Sequence, residues 1–141
     1  MNTAAPTIVL DTNVLIASIG RKSPFRWIFD CVVSGKIILC ISNDILFEYQ
    51  EVIGRKTNEQ IAESIVNFLS VTPFVEKVEI YFSFDLIKAD PSDNKFVDCA
   101  ITANADYLVS NDKHFQVLQN IDFPKVNTLT LNEFSDLHQR M

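Results

Sequence analysis

Two rhythms of apolar and polar positions alternate along this chain: short solid apolar runs, and longer stretches with helical spacing. Their order predicts an α/β fold. Thr7 to Leu10 reads as a short buried strand, and the helix that begins at Val14 runs to Ile19 and stops at Gly20. Ser23 suits an N-cap, Pro24 a first helical position and Gly35 a C-terminal stop, so a helix is predicted from Pro24 to Ser34. Lys36 to Ile41 is the second strand, and Ser42 caps the helix that carries Glu48. Thr57 with Gln60 reads as a capping box for a further helix that ends before Pro73. Val75 to Phe82 alternates charged and apolar residues, as an edge strand or an extended arm would. Asp93 is placed to cap a helix through about Ala105, and Asp106 to Ser110 is the next buried strand. A short helical turn over Asn111 to Val117, a strand from Val126 to Leu129, and a helix opened by the capping box Thr130 and Glu133 complete the pattern. Strands joined by helices pair mostly in parallel through right-handed crossovers. The prediction is therefore a three-layer α/β/α fold with a central, mostly parallel sheet. At 141 residues and 48% hydrophobic content, one domain over residues 1–141 is expected.

Acidic residues recur where an apolar run gives way to a helix. They are Asp11 after Ile8-Val9-Leu10, Glu48 in the segment from Ser42, Asp93 and Asp98 in Asp90-Pro91-Ser92-Asp93-Asn94-Lys95-Phe96-Val97-Asp98, and Asp112 after Val109-Ser110-Asn111. In an open parallel sheet all carboxyl strand ends lie on one edge, so these acids converge although far apart in sequence. Two unit charges about 4 Å apart repel by roughly 4 kcal/mol at an effective dielectric near 20, so such a cluster calls for protons or cations. Oxygen ligands without cysteine or histidine suit magnesium or manganese, which points to metal-dependent phosphoryl transfer. Each acid also has an ordinary explanation: helix capping for Asp11 and Asp93, a surface position for Glu48. Asp98 follows Asp93 by five residues and is rotated from it by about 140° on a regular helix, so the two share a site only if Asp93 lies just outside the helix.

Composition leaves this picture standing. The net charge of −6 argues against nucleic acid, yet two divalent ions of combined charge about +4 would bring it to about −2. Cys31, Cys40 and Cys99 are widely spaced in apolar company and are expected as reduced core residues. No leader pattern and no apolar run of membrane-spanning length is present, so a cytoplasmic location is expected.

The segments Val9-Leu10-Asp11-Thr12-Asn13-Val14-Leu15, Ser42 to Glu48, Asp90 to Ala100, and Ala105-Asp106-Tyr107-Leu108-Val109-Ser110-Asn111-Asp112 together resemble a PIN domain, in particular its single-domain toxin branch. The resemblance implies a metal-dependent ribonuclease acting on single-stranded RNA with Mg2+ or Mn2+. The metal would be held by Asp11, Glu48, Asp93 and Asp112, with Asp98 at a position that is often acidic. It implies supporting roles for Thr12, Asn13 and Ser110, and a cognate antitoxin protein as partner; a homodimer stays open. Many relatives have glycine where this chain has Asn111.

Arg21, Lys22, Lys95, Lys113 and His114 fall near the expected acidic edge as phosphate contacts or as solvated surface charge, and His114 also as a proton shuttle. For Trp27 with Phe25 and Phe29, core packing or a partner surface is expected before base stacking. Two rival classes share parallel strand ends with acids. An aspartyl-phosphate enzyme or receiver wants a second acid two positions after, or next to, the first, where this chain has Asn13 and no adjoining acid. A catalytically silent binding module would not need acids at every matched position.

Overall fold

The computed structural model describes residues 4–140. Five strands, β1 (Thr7–Leu10), β2 (Ile38–Ile41), β3 (Val75–Lys77), β4 (Tyr107–Val109) and β5 (Thr128–Leu129), form one sheet in the order β3-β2-β1-β4-β5. Every pairing is parallel, with Ile8 opposite Leu39 on one side and Tyr107 on the other. Helices α1 (Thr12–Ile19), α2 (Arg26–Ser34), α3 (Asn43–Lys56), α4 (Glu59–Val71), α5 (Asn94–Thr102) and α6 (Leu131–Gln139) flank it. Ile8, Val9, Leu10, Leu39, Cys40, Leu108 and Val109 are wholly buried. Central strands covered on both faces have no polar side, which is why their sequence is a solid apolar run and not an alternation.

β3 lies at the edge, and its Glu76 and Lys77 are exposed. Both readings of Val75 to Phe82 are realised in part: three residues pair as an edge strand, and the chain then runs to residue 90 as an extended strap. The strap is clasped to α5. The Asn94 side chain accepts from the Ile87 amide and donates to the Ile87 carbonyl, both at 2.9 Å.

Helix starts moved where turn chemistry competed with capping. α1 begins at Thr12, directly after Asp11. α2 begins at Arg26, because Ser23 closes a turn: its oxygen accepts from the Phe25 amide at 3.1 Å and its hydroxyl donates to the Ala17 carbonyl. The cap of α4 is Asn58, accepting from Ile61 at 2.8 Å, whereas Thr57 closes α3; the Thr57–Gln60 box does not form. α5 stops at Thr102, and the Ala103 amide closes on Cys99 at 2.9 Å. Thr130 and Glu133 do form the expected box, at 3.1 and 2.9 Å. Gly35 ends α2 at φ 79°, against the Phe74 ring. Trp27 packs between α2 and α6, stacked on His138 and tilted against Phe134, so it serves the core. The three cysteines are free and buried, and no described helix is long and apolar enough to cross a membrane.

Candidate metal centre

The chain passes from β1 through β2 to β3 on one side of the sheet and returns for β4 and β5 on the other. The carboxyl ends of β1 and β4 therefore form the topological switch point, where loops part and leave a crevice. Asp11 leaves β1 there, its amide donating to the Val109 carbonyl at 3.1 Å. The Tyr49 hydroxyl, on fully buried ground beneath, donates to the Leu10 carbonyl at 2.5 Å and ties α3 to this strand end.

Asp11 makes no side-chain cap of α1; its Oδ2 accepts from the Ser110 hydroxyl at 2.7 Å. Ser110 in turn accepts from the Asp112 amide at 3.0 Å, and Asp112 caps the 3-10 helix Lys113–Asn120 by accepting from the His114 amide at 2.9 Å. That turn brings the imidazole back: His114 Nδ1 lies 3.2 Å from Asp93 Oδ2 and 3.4 Å from Asp112 Oδ1. Asp93 ends a 3-10 turn, Pro91–Asp93, and makes no cap bond with its side chain. The capping role belongs to Asp90, which accepts from the Ser92 amide at 3.1 Å and hydroxyl at 2.7 Å. The carboxylate of Asp93 is thereby left for the site, and Asp90, Asp93 and His114 each offer a donor atom within 4.8 Å of one another.

Glu48 borders this group from α3. One of its oxygens accepts from the Thr12 hydroxyl, and the other receives Lys95 Nζ at 2.7 Å. The charges are felt mutually. Burial pushes the Asp11 carboxyl up, with Glu48 and Asp112 adding to the rise while Ser110 opposes it. Burial also drives Asp93 up, to about 6, against the lowering effect of the His114 hydrogen bond and with Asp90, Asp112 and Asp11 adding to the rise. Carboxyls held above their usual range by burial and by one another gain from a divalent cation, which restores the charge balance without a proton. The residues present fit such an ion.

The structure thus brings together Asp11, Asp93 and Asp112, with Ser110 bridging, and sets Glu48 beside them through Thr12. Two expected residues are committed elsewhere. Asp98, expected among the metal residues, accepts from the Phe84 amide at 3.0 Å, and the neighbouring charge acting on it is that of Asp85. It clamps the strap one turn beyond Asn94. Asn13 is exposed and accepts from Lys56 Nζ at 3.1 Å. Asn111 accepts from the Leu131 amide at 2.9 Å and so anchors the start of α6. Asp90 was not anticipated, and the reading of the ligands as oxygen alone did not include His114. One signal was present for both: Asp90 to Ser92 and Asp112 to His114 are Asx turns, in which the side chain accepts the amide two residues on.

A family model described as PIN domain matches residues 7–114. None of the curated proteins matches. Similar solved structures include VapBC2 from Rickettsia felis bound to a DNA fragment of its promoter, 18% identical over 88% of this chain and 98% of that one, TM-score 0.60. DNA-bound VapBC from Salmonella typhimurium is 15% identical over 89% and 98%, TM-score 0.58, and the RRP44 PIN domain of T. brucei is 15% identical over 96% and 82%, TM-score 0.55. The match over most of the chain, on a parallel sheet with acids gathered at its switch point, shows that this chain belongs to the PIN-domain family, whose members are generally nucleases.

Proposed function

We propose that this chain is a divalent-metal-dependent ribonuclease that hydrolyses single-stranded RNA in the cytoplasm as the toxin of a toxin–antitoxin pair. The observation that carries the reading is the crowding of Asp11, Asp93 and Asp112 at one strand edge, with Asp93 raised to about 6. Asp11, Asp93 and Asp112 would hold the metal, Asp90 and His114 border the same space, and Glu48 would add its charge from α3. Ser110 fixes the rotamer of Asp11 and ties it to the turn carrying Asp112, so the carboxylates are aimed before substrate arrives. Bound magnesium or manganese would supply Lewis acidity toward a phosphodiester and lower the pKa of an attacking water. Among the described residues no serine, cysteine or histidine grouping offers a covalent route: the three thiols are buried, and burial pushes Cys40 and Cys99 up to about 12. The toxin role is supported by likeness in fold to chains from VapBC complexes, and it makes an antitoxin the expected partner.

The test is cleavage of end-labelled single-stranded RNA. Asp11→Asn removes a metal contact and keeps the shape, so it should abolish cleavage, and EDTA should do so reversibly. Cleavage that persists in both would exclude this mechanism. Light scattering of the protein with a neighbouring gene product tests the toxin role separately.

A further inference from the structure

A groove of about 510 Å³ adjoins the acid cluster on the outer side of α3, lined by Asp44, Phe47, Glu48, Glu51, Arg55 and Lys95 among others. Glu48, which borders the centre, also lines the groove together with its partner Lys95, so the groove lies against the centre. Phe47 is 69% exposed, whereas Ile45, Tyr49 and Ile53 of the same helix are wholly buried. Its ring contributes nothing to the core and meets water at a cost. Tyr81, Phe82 and Phe123 are also exposed, but Phe47 is the exposed aromatic that shares a groove with a site carboxylate. Lys95 Nζ is fixed at the mouth by Glu48, and both side chains are only 24% exposed. A part-buried ammonium beside a carboxylate cluster is a preset point charge for a phosphate oxygen.

We propose that this groove is the nucleotide subsite beside the scissile bond: Phe47 stacks the base, and Lys95 takes the adjoining phosphate. This rests on the ribonuclease reading above. Asp44 and Glu51 accept hydrogen bonds and donate none, so they suit the N–H groups of a base edge and repel phosphate from that end. The phosphate is left at Lys95, next to the metal centre. Arg55 reaches Glu51 at 3.7 Å on open surface and is a weaker, screened contact. Stacking on an aromatic tolerates any base, so any preference among bases at this subsite comes from Asp44 and Glu51 and not from Phe47.

Nucleoside 5′-monophosphates are the probe, because they hold a base and a phosphate and contain no bond for the enzyme to cut. Titrated into the wild-type protein with magnesium, they should shift the NMR signals of the Phe47 ring and the α3 amides, while inorganic phosphate should leave the Phe47 ring unmoved. Phe47→Ala and Lys95→Met should each weaken mononucleotide binding and raise KM for RNA by about fivefold or more, the low end for loss of one stack. Phe47→Trp and Lys95→Arg should restore it, and Tyr81→Ala should change neither. A mononucleotide that leaves the Phe47 ring unshifted, or metal-dependent cleavage with unchanged KM in Phe47→Ala, would overturn the subsite while leaving the nuclease standing. In the second case a protein that protects Phe47 would identify the groove as a protein-docking face. Mononucleotide binding lost in Phe47→Ala, together with RNA cleavage indifferent to metal, would support the subsite and sink the nuclease reading.

Discussion

Replacing Asp93 with asparagine should make the metal-free protein more stable. The wild-type carboxyl is 12% exposed in its side chain and sits at about 6, against 3.8 for an ordinary aspartate. A rise of about two units, at about 1.4 kcal/mol each, corresponds to a cost of about 3 kcal/mol when the group is ionised in the fold. Because the folded value is raised, the folded state binds the proton more tightly. The cost is therefore fully present above pH 6 and disappears as pH falls below 3.8. Asparagine keeps the shape and can still accept from His114, yet carries no charge toward Asp90, Asp112 and Asp11. Urea or thermal unfolding in EDTA should show Asp93→Asn above wild type by up to about 3 kcal/mol at pH 7.5, with the gap closing toward pH 4. At about 2 to 4 °C per kcal/mol for a chain near this size, the melting point should rise by about 6 to 12 °C. With millimolar magnesium or manganese the order should reverse, since only the wild type regains its loss through binding. A variant no more stable than wild type in EDTA at pH 7.5, or a gap that does not change with pH, would refute the reasoning that Asp93 is held ionised against burial and like charge.

Ser110→Ala should destabilise the fold at neutral pH by about 1.5 to 3 kcal/mol, because it removes a donor to an ionised acceptor; since burial raises the Asp11 carboxyl, urea titration should show the loss shrinking as the pH is lowered from 7.5. Gly35→Ala should lower stability by about 1 to 3 kcal/mol, since φ is 79° and the new Cβ would meet Phe74 Cε1 at 2.6 Å, a contact the ring must yield to; thermal melts check it. Thiol titration at pH 8 should leave Cys40 and Cys99 unreacted in the native protein, where burial holds them near 12, and count all three cysteines after denaturation.

The layers and the parallel sheet were legible because burial on both faces of a parallel sheet writes itself into sequence as solid runs, and Ile8-Val9-Leu10 and Leu108-Val109 are such runs. Helix starts were less legible, since Ser23, Thr57 and Asn58 are all competent caps and side-chain chemistry alone does not rank them. Ser23 spent its hydroxyl on Ala17, and Asn58 took Ile61. Such choices depend on which carbonyl the tertiary fold brings near, and nothing in the local sequence contains that carbonyl.

The candidate centre divides along the same line. Asp11 and Asp112 could be placed from their strands because a strand's end fixes where the next residue emerges. Asp93 could be placed only up to the question of its cap, and the structure answers it by giving that task to Asp90. Asp98 reads in the sequence as a further acid of the site, but the strap that occupies it is an extended segment with no periodicity to announce its path. His114 reads in the sequence as a phosphate contact, a solvated charge or a proton shuttle and not as a neighbour of two carboxylates, because only the 3-10 geometry of residues 113–120 folds its ring back between Asp93 and Asp112. The physical reason is common to both: a helix or strand carries its own geometry from residue to residue, whereas a strap or a tight turn takes its geometry from what it lands on. The acids at element ends are thus readable from the chain, and the groups that orient them, neutralise them or withdraw them from the site are readable only from the fold.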